Sequence, residues 1–235
     1  MRVLAAAMLA LLAACSGAKP ADTTATYGRE APNGPVVVRA AANGDARVEA
    51  GENLFIRKSG TDYVVLRDGQ GAFSVRRDDL LAYFAELDKA ANLFPGGRVQ
   101  PEYVMRAEGS ETVAGQSGRV WKVHPSDIPS LPAAEAVISR DPALGPMGRA
   151  LAMQSNFSIL RNSGMSGGPG NLEKAMMALF DKGAVLRFGT ALRLQRLDHA
   201  PIPPGMFDPP RPLLDAAGLR RRMAVERARL AQPGG

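Results

Sequence analysis

The sequence predicts an α+β fold in which an antiparallel sheet is covered by a few helices. Short β-branched and aromatic runs, separated by Gly, Asn and Asp, fill the first third of the body, which is the pattern of successive hairpins. Apolar residues then recur at helical spacing between positions 80 and 94, as on one face of a helix. With 235 residues, of which 46% are hydrophobic, the chain is long enough to bury a sizeable core.

The first 14 residues have the pattern of a secretory signal peptide. Arg2 supplies one positive charge, and positions 3–14 are uncharged and mostly Leu, Ala and Met. A charge followed by about 7 to 15 apolar residues is typical of such signals, whereas a helix needs about 20 to cross a bilayer. We therefore expect residues 1–14 to be a signal rather than a membrane span.

The segment Leu12-Ala13-Ala14-Cys15-Ser16 resembles the lipobox of bacterial lipoproteins, and Cys15 is the single cysteine of the chain. The resemblance implies that Cys15 carries the lipid anchor, palmitate included. Ser16 stands where an inner-membrane retention signal would carry Asp, which implies an outer-membrane location facing the periplasm. The alternatives are an ordinary cleaved signal with an incidental cysteine, or an uncleaved helical anchor.

Residues 15–35 are rich in Ala, Thr, Gly and Pro and predict a flexible tether. The folded body is expected over residues 36–210. Its first strands are predicted where short apolar runs lie between turn residues; these runs occupy positions 36–38, 53–57, 62–66 and 72–75. We interpret this region as a meander.

A helix is predicted next, with Asp78 as its N-cap and an apolar face of Leu80, Phe84, Leu87, Ala91 and Phe94. Two strands with one apolar face follow at 102–107 and 118–124. The segment 125–146 contains five prolines and is expected to have little regular structure.

Two further helices are predicted at about 146–156 and at 171–182, the second with Asn171 as N-cap and Gly183 after its end. A long alternating strand follows at 185–194. The last segment, 211–235, contains six arginines and two acidic residues and predicts a basic helical tail.

This order of elements resembles the LolA/LolB-like half-barrels of lipoprotein carriers and receptors over residues 36–210. The local likenesses are the strand 63–69 ending in Arg-Asp-Gly, Val113-Ala114-Gly115 before Val120-Trp121-Lys122-Val123, and Phe207-Asp208-Pro209-Pro210. The resemblance implies a curved antiparallel sheet around an apolar cavity. The predicted lining is Tyr63, Val65, Tyr103, Met105, Trp121, Val123, Phe188 and Leu192. A filled core explains the same residues, and Ile128–Leu131 is the one candidate for an exposed apolar loop.

Patterns that would indicate an enzyme are weak. Gly164-Met165-Ser166-Gly167-Gly168 matches the nucleophile-elbow pattern, but Pro169-Gly170 follows where the elbow requires a helix. Only His199 follows Ser166 as a base, with Asp181 or Asp198 to orient it. With one Cys and two His in the chain, neither a metal site nor a cofactor is expected.

The leading functional hypothesis is a non-catalytic lipoprotein that binds an acyl chain or another apolar ligand of the cell envelope. The alternative is a structural or interaction lipoprotein without a cavity, and a serine hydrolase using Ser166 is third. The basic tail is a solvated helix or, through Arg220, Arg221 and Arg222, a contact for an envelope protein or an anionic polymer. Nucleic acid is not an expected partner, because it lies in another compartment.

Overall fold

A computed structural model describes residues 21–29, 34–91, 101–127, 134–164 and 170–231. These residues form one open mixed sheet of 12 strands with four α-helices, which confirms the predicted α+β class. The strands are β1 (Thr23–Gly28), β2 (Val36–Ala40), β3 (Ala46–Ala50), β4 (Asn53–Lys58), β5 (Thr61–Asp68), β6 (Gly71–Arg76), β7 (Tyr103–Val113), β8 (Gln116–Pro125), β9 (Ala134–Ser139), β10 (Ala184–Phe188), β11 (Leu192–Asp198) and β12 (Leu213–Leu214). The helices are α1 (Arg77–Ala91), α2 (Gly145–Gly164), α3 (Asn171–Phe180) and α4 (Ala216–Ala231). The predicted signal peptide, Cys15 and Ile128–Leu131 lie outside the described residues.

The sheet consists of two antiparallel meanders joined side by side. Its strand order is β12-β6-β5-β4-β3-β2-β1-β11-β10-β9-β8-β7. The first meander is β1–β6, the second meander is β7–β11, and they meet where β1 pairs with β11. Strand β12 adds the one parallel pairing, with β6. The predicted meander is therefore confirmed for the first third of the body.

The predicted tether over 15–35 is wrong at Thr23–Gly28, which forms the central strand β1. Thr23, Ala25 and Tyr27 alternate inward and are fully buried. The sequence does not predict this strand, because two of its three inward-facing residues are small or polar and no apolar alternation is visible. The Tyr27 hydroxyl donates a hydrogen bond to the Val185 carbonyl at 2.7 Å, and burial raises the pKa of this phenol. Tyr27 thus links β1 to the second meander.

Two other predictions in the second meander need correction. The alternating segment 185–194 is a hairpin, β10 and β11, that turns at Gly189, whose φ is 50°. Phe188 pairs with Leu192 across it, so the period-2 pattern continues through the turn. The Pro-rich segment 125–146 contains the buried strand β9, because its prolines flank the run Ala134–Ser139 without interrupting it.

The three predicted body helices are confirmed with shifted ends. Helix α1 begins one residue before Asp78, α2 runs further than position 156, and the N-cap of α3 is Gly170 instead of Asn171. Helix α2 contacts β1, β2, β3 and β10, and α1 lies against β5 and β6. The ring centroids of Phe55 on β4 and Phe157 on α2 are 5.3 Å apart. The main core therefore lies between the helices and one face of the sheet.

The opposite face of the first meander is covered by the segment that follows β11. A short 3₁₀ helix, Pro204–Phe207, contacts β3 and β4, and Phe207 is buried there. The Ser74 hydroxyl donates to the Pro210 carbonyl at 2.7 Å. Apolar residues are consequently buried on both faces of β4 and β5, which explains their unbroken apolar runs.

The second meander bends strongly. A bulge between Ala107 and Ser110 interrupts the β7–β8 pairing, and the end of β7 contacts β11. Glu111 on β7 accepts hydrogen bonds from Arg187 on β10, at 2.8 Å, and from Arg193 on β11, at 3.2 Å. The Arg187 guanidinium keeps the pKa of Glu111 below its usual value. These ion pairs hold the β7–β8 hairpin over the face opposite the helices.

The predicted boundary between a body over 36–210 and a separate tail over 211–235 does not match the structure. Strand β12 joins the sheet at Ser74 and Val75, and Leu219 on α4 is fully buried. Arg222 on α4 forms two 2.7 Å hydrogen bonds to Asp68 at the end of β5. Helix α4 is therefore a packed part of the same fold.

Candidate functional site

A group of large apolar side chains lies between α3 and the outer strands of the second meander. We call Tyr103, Met105, Trp121 and Phe188 the α3 cluster. All four are only partly buried and pack against the main core. Met105 pairs with Val123 and Trp121 with Ala136, and Val123 and Ala136, which lie beside them on the same face of the sheet, are fully buried. The cluster thus forms a partly exposed apolar layer that is continuous with the main core.

Helix α3 covers this layer from one side. Its partly buried Leu172 and Met176 are four residues apart and lie on one helical face. The rings of Phe180, at the end of α3, and Phe188 have centroids 5.6 Å apart. The Asn171 amide Nδ2 donates to Glu102 Oε1 at 3.1 Å and fixes the start of the helix beside β7. Helix α3 has 10 residues, so only tertiary contacts of this kind hold it in place.

The structure brings together six of the eight residues predicted to line a cavity. Tyr103, Met105, Trp121, Val123, Phe188 and Leu192 all belong to the main core or pack against it. Tyr63 and Val65 lie elsewhere. Val64 pairs with Phe55, which faces α2, so the two neighbours of Val64 point to the opposite face. They therefore belong to the side that the 3₁₀ helix Pro204–Phe207 covers.

Three cations surround the ring of Trp121. Lys182 Nζ is 4.3 Å from the ring centroid, and the guanidinium carbons of Arg119 and Arg140 are 5.9 and 6.0 Å from it. We call Arg119, Arg140 and Lys182 the Trp121 cations. The negative π-face of an indole attracts cations at such distances. The α3 cluster therefore has an apolar interior and a positively charged rim.

A cleft of about 430 Å³ opens beside this rim at the β7 bulge. It is lined by Gly109, Ser110, Ser117, Gly118, Arg119, Ile138 and Arg140. Gly118 is required here, because a Cβ at this position would lie 2.7 Å from Val137 Cγ1. Two further clefts, of about 270 and 220 Å³, are lined by residues 60–62 and 76–78 and by residues between 145 and 183. Both lie outside the α3 cluster.

The residues of the hydrolase hypothesis are only partly described. Ser166 lies outside the described residues. The side chain of His199 is exposed, and its Nδ1 is 3.3 Å from Thr23 Oγ1. Asp198 accepts from the backbone N–H of Ala200 at 3.2 Å. In the described ranges, no group of three or more His, Cys, Asp or Glu residues is arranged to hold a metal ion.

The arginines of the basic tail differ in their partners. Arg220 is paired with Glu86 on α1 and Arg222 with Asp68, whereas Arg221 is exposed. The Arg220 guanidinium lowers the pKa of Glu86. A partner that used all three would have to compete with two carboxylates of the same chain. Across the part of the chain that the structure describes, no helix is long and apolar enough to cross a membrane.

Sequence reasoning missed the Trp121 cations. Arg119 lies on β8, Arg140 follows β9, and Lys182 follows α3, so they are brought together by strand pairing and helix packing alone. Their sequence spacing carries no signal. The amphipathic spacing of Leu172 and Met176 on α3 was the available indication that this helix covers an apolar surface.

Comparison with known proteins does not identify a family for this chain. No protein-family model matches the chain, and no curated protein matches it. The crystal structure of MucB is similar over 88% of this chain, with 14% sequence identity and a TM-score of 0.30. The chain spans 64% of the length of that protein.

Proposed function

We propose that this protein is a non-catalytic lipoprotein of the bacterial cell envelope that binds an acyl chain or another apolar ligand in the α3 cluster. The supporting observation is the contiguous, partly exposed apolar layer formed by Tyr103, Met105, Trp121 and Phe188. Exposed apolar surface rimmed by polar groups is typical of binding sites. The sequence resemblance to lipoprotein-carrying half-barrels favours an acyl chain as the ligand.

Binding to the α3 cluster is tested with N-phenyl-1-naphthylamine, an uncharged apolar probe. Trp121 is the single tryptophan of the chain, so energy transfer from it to the probe reports binding at this site. We expect saturable transfer with the full-length Cys15→Ser chain. Met105→Gln should weaken binding about tenfold, because it places an amide in an apolar contact.

Met223→Gln provides the matched control, since Met223 on α4 is also partly buried against the main core but lies outside the α3 cluster. This variant should bind the probe as the parent does. Absence of saturable transfer, or equal weakening by both variants, would contradict the proposal. A lipid that co-purifies with the Cys15→Ser chain in native mass spectrometry would support it.

We also propose that Cys15 anchors the protein in the outer membrane facing the periplasm. Two or three acyl chains would hold it there stably, because each buried methylene contributes about 0.8 kcal/mol. Cys15→Ser should move the protein from the membrane to the soluble envelope fraction, while Ser16→Ala should leave it with the membranes. Retention of the Cys15→Ser chain in the membrane fraction would overturn the anchor.

The alternative, an interaction lipoprotein with a filled core, is favoured by the contact between Phe180 and Phe188 and by the position of Lys182 over Trp121. These contacts close part of the apolar layer from outside. In that case the probe would not bind, and α3 would serve as a fixed element of the fold.

A further inference from the structure

We infer that the Trp121 cations form a binding site for a phosphate-bearing anion. The inference rests on the proposed function in one respect, that the anion is the headgroup of the amphiphile whose chain occupies the α3 cluster. The evidence for the anion site is independent of the proposed function. It consists of the charges that surround Trp121 and of the cleft beside them.

The three Trp121 cations carry like charges and repel one another. Their distances to one ring place all three within about 12 Å of each other, comparable to a Debye length of about 8 to 10 Å. Within the described ranges, no ion pair or hydrogen bond joins any of them to an acidic side chain. By contrast, Arg57, Arg187 and Arg222 are each paired with carboxylates. A bound anion would relieve the repulsion around Trp121.

The adjoining cleft offers groups that suit phosphate. Arg119 and Arg140 both line it, together with Ser110 and Ser117. Guanidinium groups bind phosphate oxygens through paired charge-assisted hydrogen bonds, and serine hydroxyls can donate to the remaining oxygens. Gly109, in the β7 bulge, leaves the backbone open to a ligand, because no atom of the described residues lies within 4 Å of the position that its Cβ would take. The volume of about 430 Å³ falls within the range of small-molecule sites.

Trp121 connects the two parts of the site. Its ring belongs to the apolar layer of the α3 cluster, and its π-face holds the cations. An amphiphile with a phosphate headgroup would therefore contact cations and apolar side chains at once. In this arrangement Trp121 positions the cations, while Arg119 and Arg140 contact the anion.

The test is a titration of the full-length Cys15→Ser chain with dihexanoyl phosphatidylglycerol, dihexanoyl phosphatidylcholine and inorganic phosphate. Both lipids are used below their micelle-forming concentrations. Trp121 fluorescence and calorimetry report the binding of all three compounds. We expect the anionic lipid to bind at least tenfold more tightly than the zwitterionic lipid at low salt, and this advantage to shrink as salt is raised.

Arg119→Gln and Arg140→Gln should each reduce affinity for the anionic lipid about tenfold, and Lys182→Gln should reduce it less. Arg67→Gln is the control, because Arg67 is an exposed arginine on β5 in the first meander. It should leave binding unchanged. Thermal melts of each variant establish that the fold is intact.

The outcomes separate this inference from the proposed function. Phosphate binding that is lost in Arg119→Gln supports the anion site and identifies free phosphate as a source, even if no lipid binds. Equal affinity for the two lipids, unchanged in the variants, overturns the anion site. Binding of uncharged N-phenyl-1-naphthylamine in Arg119→Gln would show in either case that the apolar layer functions independently.

Discussion

The two meanders of the sheet bury their apolar side chains differently. In the first meander, Val38 and Val48 are fully buried and Phe55 is 3% exposed beneath the 20-residue helix α2. In the second, the large side chains of the α3 cluster remain partly exposed beneath the 10-residue α3. A short helix cannot cover long strands completely, so helix length decides where apolar surface stays accessible.

The first meander is also covered on both faces. Helices α1 and α2 lie on one face and the 3₁₀ helix Pro204–Phe207 on the other. The second meander instead folds its own β7–β8 hairpin over the opposite face, where Glu111, Arg187 and Glu135 form an ion-pair cluster. The first meander therefore contributes most to stability, while the second keeps a partly open apolar layer.

We expect the greatest loss of stability from a core substitution in the first meander. Phe55→Ala should lower the free energy of unfolding by about 3 to 5 kcal/mol, because it leaves a cavity against Phe157. Phe188→Ala should cost about 1 to 2 kcal/mol, since its ring is already partly exposed. Urea denaturation measures both values. Equal losses would contradict the difference in packing between the two meanders.

An intermediate effect concerns the ion pair that joins α4 to the first meander. The Arg222 guanidinium keeps the pKa of Asp68 at about 2, below its ordinary value of 3.8. The pair therefore stabilises the fold at neutral pH, and this contribution is lost as the pH falls from about 4 through 2. Arg222→Gln should lower stability at pH 7 by about 2 kcal/mol.

The measurement is the urea midpoint between pH 7 and pH 2. Arg222→Gln should flatten the acid part of this profile, because Asp68 then titrates near its ordinary pKa in both the folded and the unfolded state. Arg221→Gln is the matched control, since Arg221 is exposed on the same helix. An unchanged acid profile in Arg222→Gln would mean that α4 is not held by this pair.

The smallest effect tests the link between the meanders. Tyr27→Phe removes the hydrogen bond from β1 to the Val185 carbonyl on β10 and should cost about 1 kcal/mol. Tyr63→Phe, on a partly exposed residue of β5, should change stability by less than about 0.5 kcal/mol. Two-state unfolding should persist in both. Separate transitions in Tyr27→Phe would indicate that the meanders are coupled mainly through this bond.

Local sequence patterns correctly predicted the strands and helices whose turn residues and apolar spacing lie within a short segment. The strands at 53–57 and 62–66 and the helix from Asp78 were predicted from turn residues and apolar spacing, and each is present. The inward orientation of Trp121 and Val123 followed from alternation along one strand. In such cases the repeat of apolar side chains along the strand or helix is enough to identify the element and its buried face.

Other features depended on partners distant in the chain. Strand β1 is stabilised by its neighbours β2 and β11, and its own residues gave no apolar pattern. The hairpin at Gly189 could not be distinguished from one long strand, because residues alternate equally in both. Tyr63 and Val65 were assigned to the wrong face of the sheet. A strand that is buried on both faces does not alternate between apolar and polar residues, so its sequence does not show which face each residue occupies.

Local sequence patterns predict the α+β class, most strands of the first meander and the apolar residues available for a site. Long-range packing sets which of those residues share a face, and it places Arg119, Arg140 and Lys182 around Trp121. No sequence pattern reveals these groupings, because strand pairing and helix packing bring together positions whose separation along the chain has no period. Composition and local spacing specify elements, whereas long-range contacts place the charges and the apolar surface side by side.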